Sequence, residues 1–117
     1  MEFGRLIKKR EQLINKLKWA RLDQEAGVDG AKSQVIALAT LLAEIENIMA
    51  DEFKKCGKLA QVVTCLTQQA AYLLEAGQAQ SSVKIYKKSL SYCKSEKSTK
   101  HISNRISFIK DNYSLVS

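Results

Sequence analysis

The chain has 117 residues, a formal charge of +7 and no proline. Such a length supplies one domain with a single core, and the lack of proline removes the commonest interruption of a helix interior, so the composition favours an all-α protein. Three cysteines without a C-x-x-C pair and a single histidine exclude the usual zinc motifs, and we expect neither a metal nor a cofactor.

The amino-terminal half predicts two long amphipathic helices. Apolar residues recur every three or four positions over residues 3–20, which is the spacing of one helix face, and this helix is expected to end near Gly27. The same spacing predicts a second helix over residues 35–56. Asp29 is its candidate amino-terminal cap, and Gly57 is expected to stop it in a left-handed conformation.

The carboxyl-terminal half predicts three shorter helices. The apolar spacing indicates a third helix over residues 59–74, stopped at Gly77, and a fourth over residues 79–93. The polar run KSEKSTK then interrupts the pattern, and Ser98 or Thr99 can cap a fifth helix. Because every connection is short, we expect about five antiparallel helices, arranged as a bundle or as a short solenoid.

Large and small side chains alternate in a regular order on both sides of Gly77. The positions concerned are Leu66, Ala70, Leu73, Ser82, Tyr86 and Ser89. Over residues 63–96 this pattern resembles the tetratricopeptide repeat, a helix–turn–helix unit of about 34 residues in which small side chains let two helices approach closely. We therefore expect one helical domain of residues 1–117, with two long amphipathic helices in 1–56. In 58–117 the resemblance implies a tetratricopeptide-like hairpin, which is followed by a terminal helix.

The stretches SVKIYKKSLSYC and ISNRISFIKDNY also resemble the last two helices of microtubule-interacting-and-trafficking domains. Those domains are three-helix modules with tetratricopeptide-like packing. Both families are scaffolds that bind peptides or helices. The two resemblances therefore imply a non-catalytic adaptor or chaperone that binds a segment of another protein.

The tetratricopeptide resemblance also implies a groove, lined by the first helix of the repeat. The positions of its lining fall on Thr64, Thr67, Ala71, Leu74 and Glu75. Thr67 and Ala71 stand where the carboxylate-binding branch of the family has lysine and asparagine, so we expect an apolar groove that accepts a helix or an extended segment. The alternative is that these residues pack beneath the first or second helix.

A basic flank is expected on the fourth helix, formed by Lys84, Lys87, Lys88 and Lys94. These lysines are either solvated residues whose stems lie along an apolar edge or contacts for phosphate or an acidic peptide. The alternative function is therefore a basic helical protein that binds nucleic acid or an anionic surface. Arginine and stacking aromatic residues are scarce in the chain, which favours the protein partner.

Four further residues are candidate interface anchors: Trp19, His101, Arg105 and Phe108. Trp19 and Phe108 lie off the main apolar faces of their helices, so each is either a second-face core residue or an exposed anchor. His101, Arg105 and Phe108 follow one another at the spacing of one patch. Residues 1–56 carry more apolar side chains than one neighbour can cover, so we expect a homodimer or an obligate complex, and a dimer seam there is the third functional alternative.

Enzyme activity and a membrane span are not expected. The chain has no glycine-rich phosphate loop, no H-E-x-x-H and no G-x-S-x-G motif, and Glu44 and Glu46 cannot share a helix face. The amino terminus has no uncharged apolar segment of signal-peptide type, and no stretch approaches the ~18 apolar residues of a membrane helix. We therefore expect a cytoplasmic protein.

Overall fold

The structure of the chain is a computed structural model, which describes residues 3–113 and residue 115. This part of the chain is all-α and contains five helices and no strand. The helices are α1 (Phe3–Glu25), α2 (Ala31–Lys55), α3 (Leu59–Glu75), α4 (Ala79–Leu90) and α5 (Glu96–Asn112). Each helix packs as an antiparallel neighbour of the next, so the prediction of about five antiparallel helices is confirmed.

Three helices end beside glycines as predicted. Gly27 follows α1 with φ of 78°, Gly57 follows α2 with φ of 72° and Gly77 follows α3 with φ of 85°. At the end of α3, the Gly77 N–H donates to the Leu74 carbonyl at 3.0 Å and the Gln78 N–H donates to the Leu73 carbonyl at 2.8 Å. This pair of hydrogen bonds is the Schellman arrangement, which needs a left-handed residue at the glycine position.

Two predicted caps are wrong. Asp29 does not cap α2, because the turn continues to Gly30, which adopts φ of 79° and makes no side-chain capping bond. Neither Ser98 nor Thr99 caps α5. The cap is Ser95, whose extended backbone suits that position and whose side chain accepts a hydrogen bond from the Ser98 N–H at 3.0 Å.

The core consists of two apolar clusters that share α3. The first joins α1, α2 and α3 and is centred on Leu13, Leu17, Val35, Leu42, Met49, Val62 and Leu66. The second joins α3, α4 and α5 and contains Ala70, Val83, Tyr86, Ile102, Ile106 and Ile109. Each helix packs chiefly on its neighbours in the chain, so the five helices form a bundle that is packed in sequential order.

Small residues bring α3 and α4 close together. Ala70, Ser82 and Ser89 are all fully buried. The Ser82 hydroxyl donates to the Ala70 carbonyl at 2.6 Å, and the Ser89 hydroxyl donates to the Tyr86 carbonyl at 2.7 Å. Both serines are therefore buried without leaving an unpaired donor, which would destabilise the fold.

α2 has the length and apolar content of a membrane-spanning helix, contrary to the expectation that no stretch approaches that content. In the fold it lies between α1 and α3. Its residues Val35, Leu42 and Met49 are buried in the first apolar cluster. A helix that is covered on two sides by other helices needs a composition of this kind.

Replacing Gly77 with valine is expected to lower the free energy of unfolding by roughly 2 kcal/mol. No heavy atom lies within 4 Å of the position that a Cβ would take, so a clash is not the cause. The cause is the backbone, because a β-branched residue is strained at φ of 85°. Urea denaturation measures the change.

Two substitutions serve as controls for this effect. Gly77→Asn should retain most of the stability, because asparagine tolerates the left-handed conformation. Gly4→Val should be nearly neutral, because Gly4 lies inside α1 and is not among the glycines with positive φ. A Gly77→Val protein with the wild-type denaturation midpoint would show that the turn does not require this conformation.

Candidate binding groove

An open groove runs between α3 and the amino-terminal half of α5. α5 packs chiefly on α4, and the side of α3 that faces α5 stays uncovered. Two adjoining cavities, of about 580 and 500 Å³, share Val63, Thr64 and Ser98 in their walls. Together they form one groove, which begins beside Gly57 and ends beside Ala71.

Three of the five predicted groove residues line it: Thr64, Thr67 and Ala71. The Thr64 hydroxyl donates to the Ala60 carbonyl at 3.2 Å, and the Thr67 hydroxyl donates to the Thr64 carbonyl at 3.0 Å. Both hydroxyl hydrogens are therefore used within α3. The surface that α3 presents to the groove is uncharged and mildly apolar.

The other two predicted groove residues lie outside it. Leu74 is half-buried against the second apolar cluster. The Glu75 carboxylate faces α1, where Arg21 donates to it from Nε at 2.7 Å and from Nη2 at 2.6 Å. The assignment of Leu74 and Glu75 to the groove lining is therefore corrected: one belongs to the core and the other ties the end of α3 to the end of α1.

The floor of the groove is apolar and one of its walls is basic. Val63, Tyr86 and Ile102 close the bottom. The α5 wall carries Lys97 and His101, and Lys94 stands just before that helix. Among the residues that the structure describes, no acidic side chain lines either part of the groove.

The predicted patch on α5 continues the basic wall. His101 lines the groove, and Arg105 and Phe108 lie one and two turns further along the same side of the helix. The Arg105 guanidinium carbon lies 5.3 Å from the centroid of the Phe108 ring. At that distance a cation is attracted to the face of an aromatic ring, which holds the guanidinium over the exposed Phe108.

The four lysines of the predicted basic flank lie in three places. Lys84 and Lys87 border a depression of about 460 Å³ between α4 and α5. Lys88 borders a narrow gap beside α2. Lys94 borders the groove, because α4 ends at Leu90 and not at residue 93. The prediction of a basic flank on the fourth helix is therefore wrong for Lys94, which lies beyond the end of α4, whereas Lys84, Lys87 and Lys88 lie on α4 at the i, i+3 and i+4 positions of one helix side.

The outer side of α1 keeps two large apolar side chains in solvent. Trp19 is 61% exposed and Leu22 is 47% exposed. Leu13 and Leu17, on the main face of the helix, are buried against α2, whereas Ile14 lies at the exposed edge of that face. The apolar surplus predicted for residues 1–56 is present on both helices, because Ile36 and Leu41 of α2 are exposed as well.

A buried polar cluster between α1, α2 and α3 was not predicted. Glu46 has a side chain that is 0% exposed, and its Oε1 lies 3.4 Å from Nη1 of Arg10. Arg10 Nε and Gln69 Oε1 are also buried, with no hydrogen-bond partner among the described residues. The sequence contains one indication of this ion pair: Arg10 and Glu46 each interrupt an apolar helix face, and their charges are opposite.

Burial raises the pKa values of two acids in this cluster. Burial raises the pKa of Glu46 above its ordinary value of 4.5, and the Arg10 charge offsets part of that rise. Burial, together with the neighbouring Glu46 charge, raises the pKa of the Cys65 thiol to about 12. Because the thiolate is the reactive form of cysteine, Cys65 stays an inert thiol at neutral pH, and we interpret the cluster as structural.

Residues that could hold a metal ion are not brought together in the described part of the chain, where no three histidine, cysteine, aspartate or glutamate side chains form a group. The three cysteines differ in their exposure to solvent: Cys56 is exposed, Cys65 is buried and Cys93 is half-buried at the groove. The chemistry that the groove offers is therefore that of its apolar floor and its cationic wall.

No model of a protein family, no curated protein and no solved structure matches this chain significantly. The tetratricopeptide resemblance therefore stays a prediction from the sequence, and the assignment of a function rests on the geometry of this chain alone.

Proposed function

We propose that the protein is a non-catalytic adaptor or chaperone that holds a segment of another protein in the groove between α3 and α5. The observation that carries the proposal is the groove itself, in which an uncharged wall and a basic wall stand on either side of an apolar floor. A peptide buries its apolar side chains on such a floor, and the polar groups at the rim fix its direction.

The length of the groove suits a short segment. Its α3 wall extends from Leu59 to Ala71, and at about 1.5 Å per residue this stretch of helix is about 18 Å long. An extended chain covers that distance with about five or six residues. A helix covers it with about twelve.

The same residues favour binding over catalysis. The two threonine hydroxyls in the groove donate to carbonyls of their own helix, so among the described residues neither of them donates to a base. His101 lines the groove without an acidic side chain beside it in the described lining. Acyl-transfer enzymes require a nucleophile, a base and an acid that orients the base. The two threonines and His101 do not provide this set.

A second candidate function is the binding of nucleic acid or another polyanion. One observation favours it: Lys84, Lys87 and Lys110 surround the depression between α4 and α5, whose described lining has no acidic residue. Such a cluster attracts phosphate groups. The described lining also has no aromatic side chain on which a base could stack, so we place this function second.

We further propose that the protein self-associates through the outer side of α1. Exposed apolar side chains of this size often mark an interface, so we expect wild-type protein to sediment as a homodimer, through Trp19 and Leu22, at micromolar concentration. The double variant Trp19→Gln/Leu22→Gln should sediment as a monomer with unchanged helix content. If the wild-type protein sediments as a monomer, the proposal of self-association is contradicted and the groove proposal is unaffected.

Amide hydrogen exchange on a purified complex tests the proposed function. The partner is first isolated from the native cell, identified by mass spectrometry and expressed separately, and the complex is then reconstituted. Binding in the groove should slow exchange in residues 60–71 and 94–105, because a bound segment suppresses local opening of the helices that hold it. Slowed exchange confined to residues around Lys84, Lys87 and Lys110 would contradict the proposal and support the second candidate.

A further inference from the structure

The charge in the groove is one-sided. Lys94, Lys97 and His101 line it on the α5 side. Residues 59–74 of the opposite helix contain no charged side chain. The ion pairs found in the described residues belong to other cations, so Lys94 and Lys97 form none there.

The positive side extends beyond the groove. Arg105 lies one turn after His101 on α5, and its guanidinium is held over the Phe108 ring. Residues 94–105 contain four cations, Lys94, Lys97, Lys100 and Arg105, and one acid, Glu96. Because Glu96 is not part of the described lining and the cations outnumber it, the net charge along this edge is positive, and an anionic segment is attracted to it.

We infer that the natural occupant of the groove is an acidic, amphipathic segment of a partner protein, an inference that rests on the proposed function. Its apolar side chains lie on the floor formed by Val63, Tyr86 and Ile102, and its carboxylates face α5. A neutral or basic segment would cover Lys94 and Lys97 without supplying partners, and an unpaired cation that loses its water is unfavourable. An acidic segment supplies those partners and gains specificity from them.

A nucleic acid in the same groove is disfavoured by its floor. Two aromatic residues of the described part of the chain line the groove, Tyr86 and Tyr92. Tyr86 is only 4% exposed, so its ring is covered by protein. Tyr92 is half-buried, and Lys54 Nζ already lies 5.6 Å from the centroid of its ring. Single-stranded nucleic acids rely on exposed aromatic faces for much of their affinity, so the acidic protein segment is the better occupant.

Selection from a random peptide library tests the inference. Phage that display random dodecapeptides are selected in parallel on wild-type protein and on Ala71→Trp, in which a bulky neutral side chain fills the groove. Peptides enriched only on the wild type are the groove binders. We expect them to carry a net negative charge and apolar residues spaced along one face, and we expect Lys94→Glu/Lys97→Glu to weaken their binding at least about tenfold.

The outcomes separate the inference from the proposed function. Groove binders that are neutral or basic, or that bind Lys94→Glu/Lys97→Glu as well as wild type, would overturn the acidic occupant and leave the groove in place. If the selection enriches no peptide that binds the wild type but not Ala71→Trp, the proposed function itself is contradicted. Displacement of the enriched peptides by an equal concentration of single-stranded DNA oligonucleotide would assign the groove to nucleic acid. The circular dichroism of both variants should match that of the wild type, since all three residues are exposed.

Discussion

Replacing Arg10 with methionine is expected to lower the free energy of unfolding at neutral pH by about 3 kcal/mol. Methionine preserves much of the packing of the arginine stem, but Glu46, with a side chain that is 0% exposed, loses the cation 3.4 Å from its Oε1. A buried carboxylate without a partner is strongly destabilising. We expect a loss of stability at the low end of the range for broken buried ion pairs, because the Arg10 side chain is 26% exposed.

The deficit of Arg10→Met should depend on pH. The folded-state pKa of Glu46 is raised above its ordinary value of 4.5, so the stability that this group contributes is fully present below 4.5 and is lost as pH rises through the folded-state pKa. Removing Arg10 removes the charge that offsets burial, and the pKa rises further. We therefore expect a small deficit near pH 4.5 and the full deficit at neutral pH.

Urea denaturation at both pH values measures this prediction, with two companion variants. Lys9→Met changes an exposed cation of the same helix and should be nearly neutral. Arg10→Met/Glu46→Leu removes both charges and should recover most of the stability, because apolar residues often replace a buried ion pair without loss. A deficit that does not vary with pH, or a double variant no more stable than Arg10→Met, would refute the role of the pair.

Ala71→Trp is expected to abolish binding of the partner segment, with a loss of affinity of at least about a hundredfold, or about 3 kcal/mol. Ala71 is exposed on α3 and lines the groove, so its Cβ points into the space that the segment needs. The indole would lie over the apolar floor and exclude the segment from it. Fluorescence anisotropy with a labelled peptide of the identified segment measures the loss.

Two control variants test whether this loss of affinity is specific to the groove. Ser103→Trp introduces the same side chain at an exposed position of α5 that lines neither part of the groove, and it should bind as the wild type does. Changing Lys84, Lys87 and Lys110 to glutamine should weaken binding only modestly and mainly at low salt. The reverse pattern, with Ala71→Trp unaffected and the lysine variant inactive, would transfer the function to the depression between α4 and α5.

Regular spacing made most of the fold predictable. Apolar residues repeat every three or four positions along each helix, and Gly57 and Gly77 mark two of the ends with the only residue type that adopts positive φ without strain. The start of α5 was not predictable, because Ser95, Ser98 and Thr99 all carry a hydroxyl that can cap a helix. Only the extended backbone at Ser95 selects it.

The groove was predictable on one side only. Its α3 wall was expected from the tetratricopeptide resemblance, which depends on the local order of large and small residues around Gly77. Its α5 wall depends on how α5 lies across α4, which the sequence does not indicate. Lys97 and Ser98 also belong to a polar run that predicts a loop between two helices rather than the start of a helix. Glu75 was misassigned because its partner, Arg21, lies 54 positions away in the sequence, and no local pattern reports such a contact.

Photo-crosslinking from the edge of the groove tests the central claim most directly. Benzoylphenylalanine is placed at position 68, an exposed position at the edge of the groove where the probe need not fill it, or at position 84, beside the basic depression, and the protein is irradiated in its native cell. We predict that position 68 crosslinks to one partner protein, through an acidic segment located by mass spectrometry, and that position 84 does not. Crosslinks to the partner from position 84 without any from position 68 would contradict the account.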